Sequence, residues 1–132
     1  MVRIADLTNG SVDDVIALYN RWGANNRYSG RLSRDVWTTI VAAKPYFTPE
    51  EVLIVYDGDT ALGYVHLSHG PNAARTAPDP QRGSIEALCF DPQRPDAGAA
   101  LVAAAVAYHH NHGAQQIEAF STFCDYPLYR GI

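Results

Sequence analysis

One stretch of the chain decides the fold: residues 84–102, which read SIEALCFDPQRPDAGAALV. Its mostly apolar beginning predicts a β-strand over Ser84–Phe90. A turn with two prolines follows, and a run of small residues then opens a helix that we expect from about Ala97 to His112, before Gly113. Gln115–Phe120 reads as the next strand. A helix between two such strands predicts a right-handed crossover and a parallel pair.

The start of this predicted helix has two interpretations. Free backbone N–H groups at a helix N-terminus form an anion site, and small side chains let a phosphate approach them closely. Small residues also allow a helix to lie flat against a sheet, which is ordinary packing. The residues of this stretch leave both interpretations open.

The N-terminal part of the chain predicts a strand followed by two helices. Val2–Leu7 is β-prone, and Ser11 is placed to cap a helix whose apolar positions run from Val12 to Trp22. Ser33 is placed to cap a second helix that ends at Pro45.

A β-hairpin follows these helices. Val52–Tyr56 and Ala61–Leu67 are apolar runs that flank a turn at residues 57–59. Residues 68–82 are rich in Gly, Pro, Asn and Ala and predict a loop. The element order therefore predicts a single α/β domain over residues 1–132, with a mixed, mostly antiparallel central sheet and helices on both faces.

Composition excludes several classes of protein. The net charge is −4, from 10 Lys+Arg and 14 Asp+Glu, without the basic run that nucleic-acid phosphates demand. The N-terminus lacks a signal pattern, and no apolar run approaches the ~20 residues of a membrane span. Cys89 lies in an apolar run and reads as a buried, reduced thiol. We therefore expect a cytoplasmic protein that contacts neither nucleic acid nor a membrane.

The layout resembles a GNAT-type N-acetyltransferase domain. In that family an Arg/Gln-x-x-Gly-x-Gly/Ala motif after the fourth strand holds the coenzyme A pyrophosphate, and residues 93–98 match it at Gln93 and Gly98. The small-residue helix over 101–108 and its exit at Gly113-Ala114 also resemble the family. In element order the resemblance covers residues 2–132.

This resemblance implies that acetyl-CoA is the cosubstrate. The fourth strand of the family pairs through its backbone with the pantetheine arm, and the turn and helix start hold the pyrophosphate. The corresponding positions here are Leu88, Cys89 and Phe90 in the strand, and Gln93, Arg94, Asp96, Ala97, Gly98 and Ala99 in the turn and helix.

Two features depart from the family pattern. Asp96 stands where the family has its first glycine, and its carboxylate should repel a pyrophosphate, with Arg94 as the compensating charge. A register shifted to residues 95–100 restores both small positions but loses the Arg/Gln. The ending, residues 126–132, resembles that of the first domain in tandem GNAT proteins. We therefore expect a shortened GNAT domain whose open sheet edge favours a homodimer or a second GNAT domain as partner.

Two residues are the catalytic candidates. The resemblance places Tyr129 at the family's general acid, with Tyr126 as a weaker substitute and a packing role as the alternative. Glu86 interrupts an apolar strand. It is either a base for the acceptor amine, acting directly or through water, or a side chain that points to an exposed patch.

The histidines predict no metal site. His109, His110 and His112 lie in the last helical turn, where the helix dipole favours them, and no third ligand has zinc-site spacing. His66 and His69 flank Ser68 at the end of the return strand, near the expected acceptor cleft.

Three functional hypotheses remain. The first is an N-acetyltransferase that acts on a primary amine of a small molecule or peptide. The second is a non-catalytic GNAT-like module for acyl-CoA binding or dimerisation. The third is a small α/β domain without a nucleotide cofactor.

Overall fold

The computed structural model describes residues 2–23, 31–74 and 76–120. Three helices and five strands follow one another along these residues, and two of the helices extend into a π-helical turn. In chain order they are β1 (Val2–Asp6), α1 (Val12–Leu18, extended by Tyr19–Gly23), α2 (Arg34–Trp37, extended by Thr38–Ala42), β2 (Val52–Asp57), β3 (Thr60–Pro71), β4 (Pro78–Phe90), α3 (Pro95–Asn111) and β5 (Gln116–Ala119). Short 3-10 turns, Asn9–Ser11 and Pro49–Glu51, precede α1 and β2.

The five strands form one sheet in the order β1-β2-β3-β4-β5. Neighbouring strands are antiparallel from β1 to β4, and β4 pairs with β5 in parallel. The parallel pair flanks α3, as the crossover rule predicts. The mixed, mostly antiparallel sheet expected from the sequence is confirmed.

Each face of the sheet carries its own apolar core. Helices α1 and α2 cover one face, where Val15 and Trp37 pack with Tyr64. Helix α3 covers the other face, where Leu101 packs with Val65. Alternate residues of a strand point to opposite faces, so Tyr64 and Val65 lie in different cores. Helices on both faces are therefore confirmed.

The predicted loop over residues 68–82 is wrong. Strand β3 continues to Pro71 and β4 begins at Pro78, so the connection shrinks to residues 72–77. The two strands pair through His69 and Gly83, and Asn72 N–H donates to Ala77 C=O at 2.9 Å to close the turn. Proline is tolerated at strand ends. The composition of residues 68–82 therefore predicted a loop where the two strands of a hairpin continue.

Two of the three residues that were predicted to cap or terminate a helix do so in the structure. The Ser33 hydroxyl accepts the Val36 N–H at 3.2 Å, and Gly113 adopts φ +85° after α3, as expected of a helix-terminating glycine. Ser11 does not cap α1. Its hydroxyl accepts the Thr8 N–H at 2.8 Å and so belongs to the preceding 3-10 turn.

The structure also bears on the state of Cys89 and on membrane-spanning helices. Cys89 is buried, and burial raises the pKa of its thiol to about 11, which keeps it protonated. Within the described ranges, no helix is both long enough and apolar enough to cross a membrane.

Candidate functional site

A β-bulge interrupts strand β4 at Glu86. Ala87 lies opposite His66 of β3 and Ile85 lies opposite Leu67, so Glu86 is the extra residue between two paired positions. Bulges redirect side chains and are frequent beside active sites. The bulge therefore marks the part of β4 where the sequence placed its candidate base.

Beyond this bulge, β4 leaves its parallel neighbour. The pairing of β4 with β5 ends where Ile85 meets Ala119, and Phe120 N–H donates to Ile85 C=O at 2.9 Å. From Glu86 to Phe90, β4 has no strand partner on that side among the residues that the structure describes. The sheet thus opens along the second half of β4.

The backbone of Leu88 and Phe90 faces this opening. Asp91 N–H donates to Leu62 C=O at 2.9 Å, which makes these two residues a hydrogen-bonded antiparallel pair. Such pairs alternate along a ladder, so Tyr64 and Cys89 form the next one. Leu88 and Phe90 therefore direct their N–H and C=O groups away from β3, whereas the Cys89 backbone is used within the sheet.

The start of α3 is held by an ion-pair network. The Arg94 guanidinium donates to both carboxylate oxygens of Asp96, with Nε–Oδ1 and Nη2–Oδ2 distances of 3.0 Å. Its Nη1 also donates to Asp57 Oδ2 at 3.0 Å. The Arg94 hydrogen bonds hold the pKa of Asp96 below its ordinary value, so Asp96 is ionised.

This network changes the interpretation of Asp96. The sequence suggested an isolated negative charge with Arg94 available to compensate a phosphate. In the structure two carboxylates share one guanidinium, so the three side chains carry a net charge of about −1 at neutral pH. Arg94 is therefore already engaged at the position where the resemblance expects it to meet a pyrophosphate.

The small residues of α3 divide between packing and exposure. Ala97 and Gly98 are buried against the sheet, and a Cβ atom at Gly98 would lie 2.7 Å from Phe90 Cζ. Gln93 and Ala99 are exposed, and Gln93 N–H donates to the Asp91 carboxylate at 2.9 Å. The packing interpretation therefore holds for Ala97 and Gly98, while Gln93 and Ala99 lie at the surface beside the turn.

Glu86 is buried, with only 6% of its surface exposed. The Ser84 hydroxyl donates to Glu86 Oε1 at 3.0 Å. The expectation that Glu86 points to an exposed patch is therefore wrong. A buried carboxylate at a bulge is compatible with the role of a base.

The second catalytic candidate, Tyr129, lies outside the described residues, as does its weaker substitute Tyr126. The general-acid assignment from the sequence stays a prediction.

His66 and His69 do not share one cleft. His66 packs beside the rings of Trp37 and Phe47 on the face of α1 and α2, and burial lowers its pKa to about 3. His69 lies on the opposite face, where its Nε2–H donates to Glu51 Oε2 at 3.0 Å. The prediction that both histidines lie near one acceptor cleft is therefore wrong, because they lie on opposite faces of the sheet.

His109 is buried and belongs to a polar cluster that sequence reasoning missed. Its Nε2–H donates to Ser84 C=O at 2.9 Å, and its ring lies 5.2 Å from that of His69. Tyr108 completes the cluster by donating to Glu51 Oε2 at 3.2 Å. The dipole explanation is thus wrong for His109, although His110 and His112 are exposed at the helix end. The glycine at position 83 of the strand was the sequence feature that indicated a close neighbour, because a Cβ atom there would lie 2.5 Å from the His109 ring.

No group of three His, Cys, Asp or Glu side chains is arranged to hold a metal ion in the ranges 2–23, 31–74 and 76–120.

Comparison with known proteins yields structural relatives only. No family model and no curated protein matches the chain. Among solved structures, a GNAT family acetyltransferase from Brucella melitensis in complex with acetyl-CoA matches with a TM-score of 0.67 and 15% identity, over 89% of this chain and 73% of that one. An aminoglycoside acetyltransferase from an uncultured soil metagenomic sample, in complex with trehalose, has a TM-score of 0.65 and 14% identity, over 94% and 80%.

N-acetylglutamate synthase from Neisseria gonorrhoeae, complexed with coenzyme A and N-acetyl-glutamate, matches with a TM-score of 0.61 and 21% identity. The match covers 93% of this chain but only 26% of that one, so the chain spans about a quarter of the synthase. At identities this low, the structural similarity shows the fold alone. The opened sheet, the bulge in β4 and these likenesses together show that the chain has the GNAT acyl-CoA N-acyltransferase fold.

Proposed function

We propose that this domain is an N-acetyltransferase that moves an acetyl group from acetyl-CoA to a primary amine of a small molecule or peptide. The observation that carries the proposal is the opening beside β4, where the backbone groups of Leu88 and Phe90 point to a side without a strand partner among the described residues. Two of the structural relatives were crystallised with coenzyme A or acetyl-CoA, which supports the same donor here.

The opening beside β4 suits the pantetheine arm of acetyl-CoA better than the start of α3 suits its pyrophosphate. The N–H and C=O groups of Leu88 and Phe90 would hydrogen-bond to the amides of the pantetheine arm, as an added strand would. Residues 93–99 would lie beside the pyrophosphate, where the dipole at the N-terminus of α3 favours an anion. The Asp96 carboxylate opposes it there, because it already pairs with Arg94.

Transfer from a thioester to an amine requires proton movements that the chain's own residues would perform. Glu86 would accept a proton from the acceptor amine, directly or through a water molecule. The N–C bond then forms as the C–S bond breaks. Tyr129 would donate its proton to the departing thiolate, and backbone N–H groups of β4 would stabilise the negative charge that develops on the carbonyl oxygen.

The alternative is a non-catalytic GNAT-like module that binds acyl-CoA weakly or serves dimerisation. One observation favours it, namely the engagement of Arg94 by Asp57 and Asp96 at the expected phosphate position. A homodimer or a second GNAT domain, and a cytoplasmic location, belong to the proposal in either form.

Calorimetric titration with acetyl-CoA, followed by acetyl-transfer assays on a panel of primary amines, tests the proposal. We expect binding, and turnover that Glu86→Gln abolishes while acetyl-CoA affinity is retained. Binding without turnover on any amine would favour the non-catalytic module. The absence of heat and of a thermal shift at millimolar acetyl-CoA would refute both the acetyltransferase and an acyl-CoA-binding module, and only the dimerisation role of the alternative would remain.

A further inference from the structure

We propose that Ser84 is a positioning residue for Glu86, which fixes the direction of the carboxylate and keeps it ionised. The contact that carries this inference is the hydrogen bond from the Ser84 hydroxyl to Glu86 Oε1, at 3.0 Å, between two buried side chains. The inference rests on the proposed role of Glu86 as the base.

The sheet fixes where the Ser84 hydroxyl lies. Ser84 is paired on both sides, with Ser68 of β3 and with Glu118 of β5. Its carbonyl also accepts the Nε2–H of His109 at 2.9 Å. The backbone of Ser84 is therefore held by two strands and by α3, one residue before the last pair of β4 with β5.

Glu86 is held less by the sheet than Ser84 is. As the extra residue of the bulge it has no opposite residue in β3, and it lies beyond the last pair of β4 and β5. A hydrogen bond from a fixed neighbour two residues away restricts the carboxylate at a point where the ladder restricts it least. Catalytic groups require such restriction, because small displacements are costly in rate.

The same hydrogen bond favours the charged form of the carboxylate. Burial disfavours ionisation, whereas a donor to the carboxylate favours it. Among the described residues, three ionisable side chains belong to elements that contact this part of β4: His66 lies opposite Ala87, Glu118 lies opposite Ser84, and His109 of α3 contacts the Ser84 carbonyl. Burial keeps His66 neutral, and it lowers the pKa of His109 as well. The Ser84 hydroxyl is a neutral donor, and its hydrogen bond favours the ionised form of Glu86.

The experiment compares Ser84→Ala with Ser84→Thr and with Ser68→Ala. Ser68 is a buried serine directly opposite Ser84 in β3, so its variant is a matched control. Carboxyl carbon-13 NMR follows the titration of Glu86 in each protein, and the pH profile of kcat/KM follows the same group during turnover. We expect Ser84→Ala to raise the Glu86 pKa and the acidic limb of the profile by about one pH unit. Ser84→Thr, which retains a hydroxyl, should restore the wild-type values, and Ser68→Ala should leave them unchanged.

The outcomes separate the two proposals. An identical Glu86 titration in Ser84→Ala and the wild type would overturn the role of Ser84. An equal shift in Ser68→Ala would overturn it too, because the effect would then come from any lost serine. A raised Glu86 pKa in Ser84→Ala, together with a wild type inactive on every amine tested, would support the Ser84–Glu86 relation and overturn the proposed acetyltransferase function.

Discussion

The buried imidazole of His66 makes the stability of this domain dependent on pH. Its ring is fully buried beside Trp37 and Phe47, and burial lowers its pKa from 6.5 to about 3. The unfolded chain therefore binds a proton to His66 at a pH where the folded chain does not. The stabilisation from a neutral His66 is present above pH 6.5 and is lost progressively as the pH falls towards 3.

The magnitude follows from the two pKa values. Between pH 7.5 and pH 5.5, the unfolded state gains about 1.4 kcal/mol from protonation of a histidine with an ordinary pKa, while His66 in the folded state stays neutral. Few carboxyl groups titrate in this window. His109 acts in the same direction, since burial lowers its pKa as well.

Urea unfolding of the wild type and of His66→Gln at several pH values isolates the contribution of His66. The variant removes the titrating group, so its cost in packing is the same at every pH and cancels in the slope. We expect the wild type to lose about 1.4 kcal/mol more of its free energy of unfolding than His66→Gln between pH 7.5 and pH 5.5. A constant stability difference across the window would show that His66 is protonated or solvated in the folded protein, and would refute the reasoning.

Three further substitutions have defined outcomes. Gly63→Ala should destabilise the fold by about 1–3 kcal/mol, because its Cβ would lie 2.6 Å from the Cys89 carbonyl oxygen, whereas the uncrowded Gly10→Ala should not; thermal unfolding compares them. Glu51→Ala should cost more than Tyr108→Phe in urea unfolding, since it leaves both Tyr108 and His69 without their acceptor, at up to about 1–3 kcal/mol for each of these partly buried groups. Tyr129→Phe should lower turnover by about 10²–10⁴-fold while coenzyme A affinity persists, and wild-type turnover would reduce Tyr129 to packing.

The elements that could be predicted from sequence are those with local signals. The hairpin of β2 and β3 follows from two apolar runs around Gly58, which adopts φ +60° in the turn. Helix α3 follows from its small-residue run and from Gly113 at its end. Each signal lies within a few residues of the feature that it predicts, so no knowledge of the tertiary fold is needed.

The errors arise where residues distant in sequence decide the outcome. The extension of β3 to Pro71 depends on pairing with β4, and the bulge at Glu86 depends on the register between the same strands. The burial of His109 depends on the carbonyl of Ser84, 25 residues away, and on the space left by Gly83. Periodicity and composition contain no information about such contacts.

The setting of Asp96 could not be predicted from the sequence, because Asp96 shares Arg94 with Asp57, the last residue of β2. Asp57→Asn and Asp96→Asn both remove one negative charge near the helix start. Only Asp96→Asn breaks the bidentate pair that Arg94 makes through Nε and Nη2. If charge alone opposes a pyrophosphate, the two variants should tighten coenzyme A binding equally.

If Arg94 must leave Asp96 before it can contact a phosphate, Asp96→Asn should tighten binding more, by about two- to fivefold over the wild type. Calorimetry with desulfo-coenzyme A measures this effect, and the gain should shrink at high salt because the groups are partly exposed. Pantetheine, which carries no phosphate, should bind all variants alike, and Asp59→Asn controls for a neighbouring exposed acid. Equal affinity of Asp96→Asn and the wild type for desulfo-coenzyme A would mean that the pyrophosphate does not approach this turn, and the non-catalytic module would then be the better account of the domain.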